Sequence, residues 1–363
     1  MEFGLSSEQI LLQDTLHRFL ADEAPLAQVR QYCAGEIDDT DIWQGLAALG
    51  IPGLLIPEHL GGVGLGSLDA VVVAEALGYH VTPTPFLSSA VMAPVALLAA
   101  GGQEQLLGSL ALGEHRVGIA FGEALGARND AAVTVDTLDK SGGAGVVLNG
   151  KAIFVLDAGA DSYLVATSQQ HLYLVDAAAQ GLVRQILKTV DKTQTTCELR
   201  LQQVPATLVS DDPSVFNKAL DAGRVMQAAD TLGAAQSALD QAVEYAKQRK
   251  QFNRVIGSFQ AVKHMCAEMV ARLEPCRSLV WYAGHALDHM PEESPVVACH
   301  AKAHLSEVGK FVAKTATEVH GGMGFTDLVG LHYWFKRIGA NRQLLGSPEL
   351  VREEAARRQG MIL

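Results

Sequence analysis

Residues 245–260 read YAKQRKQFNRVIGSFQ, and this stretch closes a long run of helical periodicity. Apolar residues before it recur on one stripe between Val225 and Ala246, which predicts an amphipathic helix. Arg249 and Phe252 are three residues apart, so we expect them to share a helix face near the end of that helix. A guanidinium at such a position can bind a pyrophosphate group through two parallel hydrogen bonds.

A second stretch, residues 319–326, reads VHGGMGFT and ends another helical segment that begins near Pro295. Gly321 and Gly322 are expected to stop this helix. Together with Gly324 they allow backbone N–H groups to approach a phosphate or a ribose closely. Taken singly, such features have ordinary interpretations, namely a solvated arginine, a core phenylalanine and a helix cap. The two stretches are informative because they occur together.

The N-terminal third has helical periodicity from Ser6 to about Leu112. Ser6-Ser7-Glu8-Gln9 resembles a capping box at the start of an amphipathic helix. Further helices are expected over residues 41–49, 67–79 and 91–100, with a loop at residues 57–66.

From Val117 to Val204 the sequence consists of short runs rich in Val, Ile, Thr and Leu, without helical segments between them. Asn149-Gly150 lies between two of these runs, which is typical of a hairpin turn. The spacing predicts an antiparallel sandwich or barrel. Helical periodicity returns at about Pro213 and continues over residues 259–289, with a break or bend at Pro275, and over residues 295–320.

This order of elements predicts an α+β fold with three domains. We expect an N-terminal helical domain over residues 1–113, a middle β-domain over residues 114–212 and a C-terminal helical domain over residues 213–363.

Composition and charge restrict the classes of function. The 363 residues are 48% hydrophobic and 19% charged, which is typical of a globular chain. The net charge is −12, with no long basic run, so nucleic acid and anionic membranes are poor candidate partners. The five cysteines are scattered and form no CxxC motif, which argues against a disulfide framework or a metal site. Without a signal-peptide pattern or an apolar run long enough for a bilayer, we expect a cytoplasmic protein.

Both quoted stretches resemble a known family. Residues 245–260 are similar to the acyl-CoA dehydrogenase signature YA-x-x-R-x-x-F-G-x-x-I-x-x-x-Q, and residues 319–326 are similar to its GG-x-G segment. Residues 57–62 resemble the family's PE-x-x-GG loop, and the α-β-α order matches over nearly the whole chain. The resemblance implies an antiparallel middle β-domain and a C-terminal four-helix bundle.

The resemblance also implies chemistry and partners. Members of the family use FAD to desaturate the α,β-bond of an acyl-CoA thioester, and an electron-transfer flavoprotein accepts the electrons. In the family, the two segments hold the FAD of a neighbouring subunit, with the aromatic ring packing on its adenosine part. This assigns cofactor binding to Arg249, Phe252, Gln260, His320, Gly321, Gly322 and Gly324.

The position of the catalytic base departs from the family pattern. Many members carry a glutamate after the GG-x-G segment to remove the α-proton, but Leu345 stands at the matching position here. Other members place the base just before an arginine of the long helix, where this chain has Gly223 before Arg224. Asp230, two helical turns further on, is a candidate displaced base, although a carboxylate there is as often a buried hydrogen-bonding partner. Arg224 itself is a candidate substrate contact.

Two segments of the middle domain depart as well. In the family's A-x-[TS]-E segment, the Ser or Thr hydroxyl forms a hydrogen bond with the flavin. The matching run Ala120–Glu123 has Gly122 at that position. The family's W-[IV]-[TS] segment appears as Phe154–Leu156. Two polar contacts to the flavin ring are therefore expected to be lost.

These departures predict the non-catalytic half of an α2β2 complex, resembling bacterial enzymes for steroid side-chain or pimeloyl-CoA substrates. The small residues Gly233, Ala234 and Ala235 could leave room for a bulky acyl ring. Two alternatives stay open. One is a self-sufficient homotetrameric dehydrogenase with a relocated base such as Asp230, and the other is a non-enzymatic scaffold of the same fold.

Overall fold

The computed structural model describes residues 4–128, 132–138 and 145–362. Helices occupy the N-terminal part of the chain: α1 Ser7–Glu23, α2 Leu26–Ala34, α3 Thr40–Ala48, α4 Ser67–Tyr79, α5 Ala93–Ala100 and α6 Glu104–Ala111, with a π-helix at Phe86–Met92 before α5. The C-terminal part contains three long helices, α7 Pro213–Gln248, α8 Gln260–His289 and α9 Ser294–His320, and two shorter ones, α10 His332–Gln343 and α11 Pro348–Arg358. Strands β1 to β7 lie between these two parts, so the predicted α-β-α order is confirmed.

The first helix begins as its sequence predicts. The Ser6 hydroxyl accepts a hydrogen bond from the Gln9 backbone N–H at 3.2 Å, and the Gln9 side chain accepts one from the Ser6 N–H at 3.0 Å. This reciprocal pair is the predicted capping box, which satisfies two N–H groups that a helix end leaves without partners.

The middle of the chain forms a closed sheet. Its strands are β1 Val117–Ala120, β2 Thr134–Leu138, β3 Gly145–Leu156, β4 Ser162–Ala166, β5 Leu172–Asp176, β6 Leu182–Ile186 and β7 Thr196–Ser210. The strand order is β2-β3-β1-β4-β5-β7-β6, and β3 also pairs with β7, which closes five strands into a barrel. All pairs are antiparallel except β1 with β4. Buried side chains such as Val155, Tyr163 and Leu199 fill its core.

The hairpin turn predicted at Asn149-Gly150 was wrong, because both residues lie inside the continuous strand β3. Gly150 has φ +123° at a register shift between β3 and β7, so it forms an irregularity in the ladder instead of a turn. A Cβ on Gly150 would lie 1.9 Å from the Ala132 carbonyl oxygen. The Asn149 side chain donates to Asp136 and accepts from the Gln203 N–H, which ties β3 to β2 and β7.

The long C-terminal helices follow the predicted segments closely. Helix α8 runs through Pro275 without interruption, and α9 ends at His320, directly before Gly321. Among the described residues, no helix combines the length and the hydropathy that a membrane span requires.

The chain forms two compact units. One comprises Met1–Asp38, Ser67–Pro83 and Arg224–Leu363 and contains most of the long helices. The other comprises Asp39–Gly66 and Thr84–Gly223 and contains the barrel. The three domains with limits at residues 113 and 212 stay a prediction.

Candidate cofactor-binding site

The segment after α7 forms a β-hairpin. Helix α7 ends at Gln248, after which β8 Lys250–Gln251 pairs with β9 Arg254–Val255. Phe252 and Asn253 form the turn with φ values of +52° and +59°, as in a two-residue type I′ hairpin loop. The expectation that Arg249 and Phe252 share a helix face was therefore wrong. The helix stops because the Arg249 carbonyl accepts from the Ile256 N–H at 2.8 Å, which extends the hairpin ladder.

Phe252 at the tip of this hairpin is both strained and exposed. Its φ of +52° lies in the left-handed region, which costs an L-residue with a bulky side chain about 1–2 kcal/mol. Its side chain is 88% exposed, so burial within the chain does not compensate for the strain. The only aromatic ring recorded near it is that of Phe259, at 6.2 Å between centroids among the described residues. A bulky apolar residue held in this way is a functional candidate, because strain usually persists where a binding partner uses it.

The hairpin carries uncompensated positive charge in an acidic chain. No Asp or Glu occurs between Glu244 and Glu268. Arg249, Lys250 and Arg254 are exposed, and within the described part of the chain none of them forms an ion pair. The Arg254 guanidinium lies 3.9 Å above the centre of the Phe259 ring. Such a cluster can bind a phosphate group despite the net charge of −12.

The glycine-rich turn at the end of α9 exposes its backbone. Gly321 has φ +59°, and a Cβ added to Gly321 or Gly322 would have no heavy atom within 4 Å, so both face open space. Gly324 has a different role, because its Cβ would lie 2.7 Å from the Thr317 carbonyl oxygen. Close packing at Gly324 folds the turn, residues 321–325, back onto the end of α9. The Gly321 N–H donates to the Glu318 carbonyl oxygen and caps the helix, while the backbone of both preceding glycines is exposed.

An aromatic stack joins the end of α7, which leads into the hairpin, to the end of α9, which leads into the glycine turn. The rings of Tyr245 and His320 lie 4.4 Å apart with an interplanar angle of 25°. Tyr245 is on the last turn of α7, and His320 is the last residue of α9. His320 is 4% exposed and its Nδ1 lies 2.8 Å from the Ala316 carbonyl oxygen, while burial lowers its pKa. The structure thus brings the two quoted stretches together, with His320 beneath the surface between them.

Gln260 begins α8 close to the hairpin in sequence, and its side chain is exposed. Its Nε2 lies 2.9 Å from the His264 Nε2, one helical turn further on. We call the hairpin with its flanks (residues 249–256) and the glycine turn (residues 321–325) together the clasp.

Asp230 lies far from the clasp. It precedes the end of α7 by about 27 Å, at about 1.5 Å per residue. Its carboxylate accepts two hydrogen bonds from Arg337, at 2.7 and 3.0 Å, and one from Asn341 at 2.5 Å. Asp230 is 8% exposed. This geometry favours the buried hydrogen-bonding partner over the displaced base, since a base needs a free oxygen directed at the substrate.

Arg224 is fully buried and holds the segment where family members carry the base. Its Nε donates to the Leu345 carbonyl oxygen at 3.0 Å, and its terminal nitrogen pairs with Glu354 at 2.7 Å. Leu345 has φ +58°, and its side chain is buried. Burial alone would raise the pKa of Glu354, but Arg224 and Arg358 outweigh this effect and lower it. Glu354 is therefore a weak base, and Arg224 contacts protein groups.

In the barrel unit, the segment Ala120–Glu123 is bound to Ile153, the residue directly before the segment Phe154–Leu156. A Cβ on Gly122 would lie 2.4 Å from the Ile153 carbonyl oxygen, so a serine or threonine does not fit there. Glu123 accepts the Ile153 N–H at 3.1 Å and forms an ion pair with Arg128 at 2.6 Å. A polar group from outside would have to displace these bonds.

The space for an acyl ring that was expected beside Gly233 is occupied by the backbone of α4. A Cβ on Gly233 would lie 1.8 Å from the Glu75 carbonyl oxygen, and one on Gly78 would lie 2.0 Å from that of Asp230. These two glycines let α4 and α7 pack backbone to backbone. The expectation of space for an acyl ring at this position was wrong, because the glycines serve helix packing.

Sequence reasoning missed three residues of the clasp region. Tyr245 and Phe259 were quoted as part of the signature without a role, and Arg254 was not singled out. The signal for Arg254 was present in the local charge, since it is one of four basic residues within residues 247–254.

Comparison with known proteins finds relatives along nearly the whole chain. The family model for the acyl-CoA dehydrogenase C-terminal domain matches residues 214–360, and that for the N-terminal domain matches residues 6–110. Acyl-CoA dehydrogenase IpdE2 of Mycobacterium tuberculosis is 33% identical over 346 residues, which cover 95% of each chain. A variant of the Tcur3481-Tcur3483 steroid ACAD is 29% identical, with a TM-score of 0.86 over 98% of each chain. The ChsE4-ChsE5 complex of Mycobacterium tuberculosis, 24% identical with a TM-score of 0.87 over all of each chain, shares the fold. This chain belongs to the acyl-CoA dehydrogenase family.

Proposed function

We propose that this chain is a subunit of an FAD-dependent acyl-CoA dehydrogenase and that its clasp holds an FAD bound mainly by a neighbouring subunit. The observation that carries the proposal is Phe252, which is strained, 88% exposed and placed at the tip of a basic hairpin. Bound FAD would supply the hydride acceptor for desaturation of the α,β-bond of an acyl-CoA.

The chemistry of the clasp fits the far end of a dinucleotide. The Arg249 guanidinium offers paired donors for a pyrophosphate, and the Phe252 ring offers a flat apolar surface for an adenosine. The open backbone at Gly321 and Gly322 supports contacts to a phosphate or ribose. Gln260 is exposed beside the hairpin and adds an amide donor and acceptor.

We propose that the chain lacks its own proton-abstracting site. Leu345 stands where the resemblance expects a glutamate, and the neighbouring Glu354 is paired with Arg224 and Arg358. Asp230 is fully engaged with Arg337 and Asn341, so it serves as a structural residue. Because neither Glu354 nor Asp230 has a carboxylate free for proton removal, we expect the base to come from another subunit.

A second argument concerns the flavin ring. The closed contacts between Glu123 and Ile153, and the close approach at Gly122, do not fit a ring bound by this chain's own barrel. The clasp fits an FAD and the barrel segments do not, which supports the non-catalytic half of a mixed α2β2 oligomer. An electron-transfer flavoprotein would then dock on the complex rather than on this chain alone.

For the substrate we propose a bulky acyl-CoA of the steroid-degradation type. The support comes from similarity to the Tcur3481-Tcur3483 steroid ACAD structure. Because α4 and α7 pack backbone to backbone at Gly78 and Gly233, the ring of such a substrate would be bound largely by the partner.

The experiment is purification of the chain with its native partners, followed by flavin counting per polypeptide. We expect a complex that contains a second, glutamate-bearing subunit and fewer flavins than chains, while this chain alone is nearly colourless. Full flavin occupancy and turnover by the isolated chain would reject the proposal in favour of a self-sufficient enzyme. A complex whose flavin content does not change with Arg249→Ala would instead favour a scaffold.

A further inference from the structure

We infer that Arg254 is a second phosphate-binding residue of the clasp and acts beside Arg249 on the same pyrophosphate. This inference rests on the proposed function, because it assigns a ligand contact within the same site. It concerns a position that the family signature leaves unspecified.

The hairpin ladder places both guanidiniums on one face. Gln251 pairs with Arg254 and Lys250 pairs with Val255, while the hydrogen bond from the Ile256 N–H to the Arg249 carbonyl oxygen sets those two residues opposite each other. Directly paired residues share a face of an antiparallel ribbon, and faces alternate along each strand. Arg249, Gln251 and Arg254 therefore form one face, which we call the binding face. Lys250 projects from the other face.

The spacing suits two neighbouring phosphate groups. Arg249 and Arg254 are diagonal neighbours on the ladder, and such pairs have backbones about 7–8 Å apart. Two long side chains starting at that separation can converge on a single pyrophosphate, each with a planar set of donors. If only one arginine bound the pyrophosphate, its second phosphate group would depend on backbone N–H groups of the glycine turn.

Arg254 is also held in place before any ligand arrives. Its guanidinium stacks on the Phe259 ring at 3.9 Å, and Phe259 in turn meets the Phe252 ring edge-on at an angle of 80°. A stacked guanidinium keeps its N–H edges free for an anion, because the contact with the ring uses only its flat face. Fixing the side chain in advance lowers the entropy cost of binding.

The charge on Arg254 is not used within the chain. Over the described residues it forms no ion pair, although the chain as a whole carries a net charge of −12. Two exposed arginines elsewhere in the chain differ: Arg272 pairs with Glu268, and Arg357 pairs with Glu353. An uncompensated guanidinium, fixed on a ring and placed beside a second one, is an arrangement that an anionic ligand would stabilise.

The test compares single substitutions in the complex purified with its native partner, after removal of flavin. FAD, ADP and adenosine are titrated against each variant, and circular dichroism verifies folding. We expect Arg254→Gln to weaken FAD and ADP binding about tenfold, as for loss of one charge-assisted hydrogen bond, and to leave adenosine unchanged. Lys310→Gln removes one positive charge at an exposed position of α9 outside the clasp and should change each affinity less than twofold.

Two further variants separate the possible outcomes. Phe259→Leu should weaken ADP binding by a smaller factor, since Arg254 keeps its charge but loses the aromatic ring on which its guanidinium stacks. Arg249→Gln tests the clasp itself. If Arg249→Gln weakens ADP binding while Arg254→Gln behaves like Lys310→Gln, the inference is overturned and the proposed function stands. If neither arginine variant affects FAD or ADP, the proposed function fails with it.

Discussion

The ring of Tyr245 stacks on that of His320, with centroids 4.4 Å apart and an interplanar angle of 25°, and the stack joins the C-terminal ends of α7 and α9. Each helix end continues into one half of the clasp, the hairpin after α7 and the glycine turn after α9. Because His320 is buried, we propose that it supports cofactor binding through position, by fixing the separation between the two halves. The resemblance implied that His320 contacts FAD directly. The stack suggests instead that His320 positions the two halves of the clasp, and this role can be tested.

Replacing His320 with alanine should therefore loosen the clasp without removing a ligand contact. We expect the flavin content of the purified complex to fall several-fold and the free energy of unfolding to fall by about 1–3 kcal/mol, as for loss of a buried aromatic contact. His320→Phe keeps a ring in the stack and should retain most of the flavin. A flavin content that is normal in the alanine variant, or lost equally in both, would contradict the positioning role.

Phe252 should show a conflict between stability and function. Asparagine tolerates φ values near +52° better than phenylalanine, so Phe252→Asn should raise the free energy of unfolding of the isolated chain by about 1 kcal/mol. The same variant should retain less flavin in the complex, because the apolar surface for the adenosine is lost. Asn253→Gly is the matched control, since it eases the same turn and leaves Phe252 in place. A lower free energy of unfolding for the Phe252→Asn variant would contradict this, because it would show that Phe252 stabilises the fold of its own chain.

Asp230 should matter for stability and not for the chemical step. Asp230→Asn leaves the buried Arg337 guanidinium without a counter-ion, and breaking a buried pair in this way costs about 3–5 kcal/mol. Denaturant unfolding should detect the loss. A variant that unfolds like the wild type but no longer abstracts the α-proton in the assembled enzyme would return Asp230 to the role of a displaced base.

A pair of histidines predicts the response of the helical unit to acid. His17 Nδ1 and His80 Nε2 lie 3.1 Å apart, between α1 and the end of α4. Burial, together with His17, lowers the pKa of His80 to about 4, and burial lowers the pKa of His17 against the opposing effect of Asp14. An unfolded imidazole titrates near about 6.5.

Between these values the unfolded chain binds more protons than the folded one, so the free energy of unfolding should decrease as the pH falls from about 6.5 to about 4. His80→Asn should flatten this part of the stability profile, whereas the same change at the exposed His304 should leave its slope unchanged. Equal slopes for the wild type and His80→Asn would show that this pair does not govern acid stability.

The sequence predicted well those features that depend on neighbours in the chain. The capping box at Ser6 and Gln9 and the end of α9 at Gly321 were confirmed, because a few consecutive residues make their hydrogen bonds. Helix α4 was predicted with its observed limits, Ser67 and Tyr79. The features it misread depend on distant partners. Asn149-Gly150 has the residues of a turn, but bonds to Asp136 and Gln203 hold it inside a strand.

The same distinction between local features and distant contacts applies to the candidate site. By itself the sequence determined the order of helical and β-rich parts, the family, and the residues with phosphate-binding chemistry, since these follow from composition, periodicity and local motifs. Only the tertiary structure decided that Phe252 is strained at a hairpin tip, that His320 lies beneath the surface, and that Arg224 and Asp230 hold protein groups. Such roles depend on which distant atoms share a hydrogen bond or exclude water, and spacing along a chain does not specify those contacts.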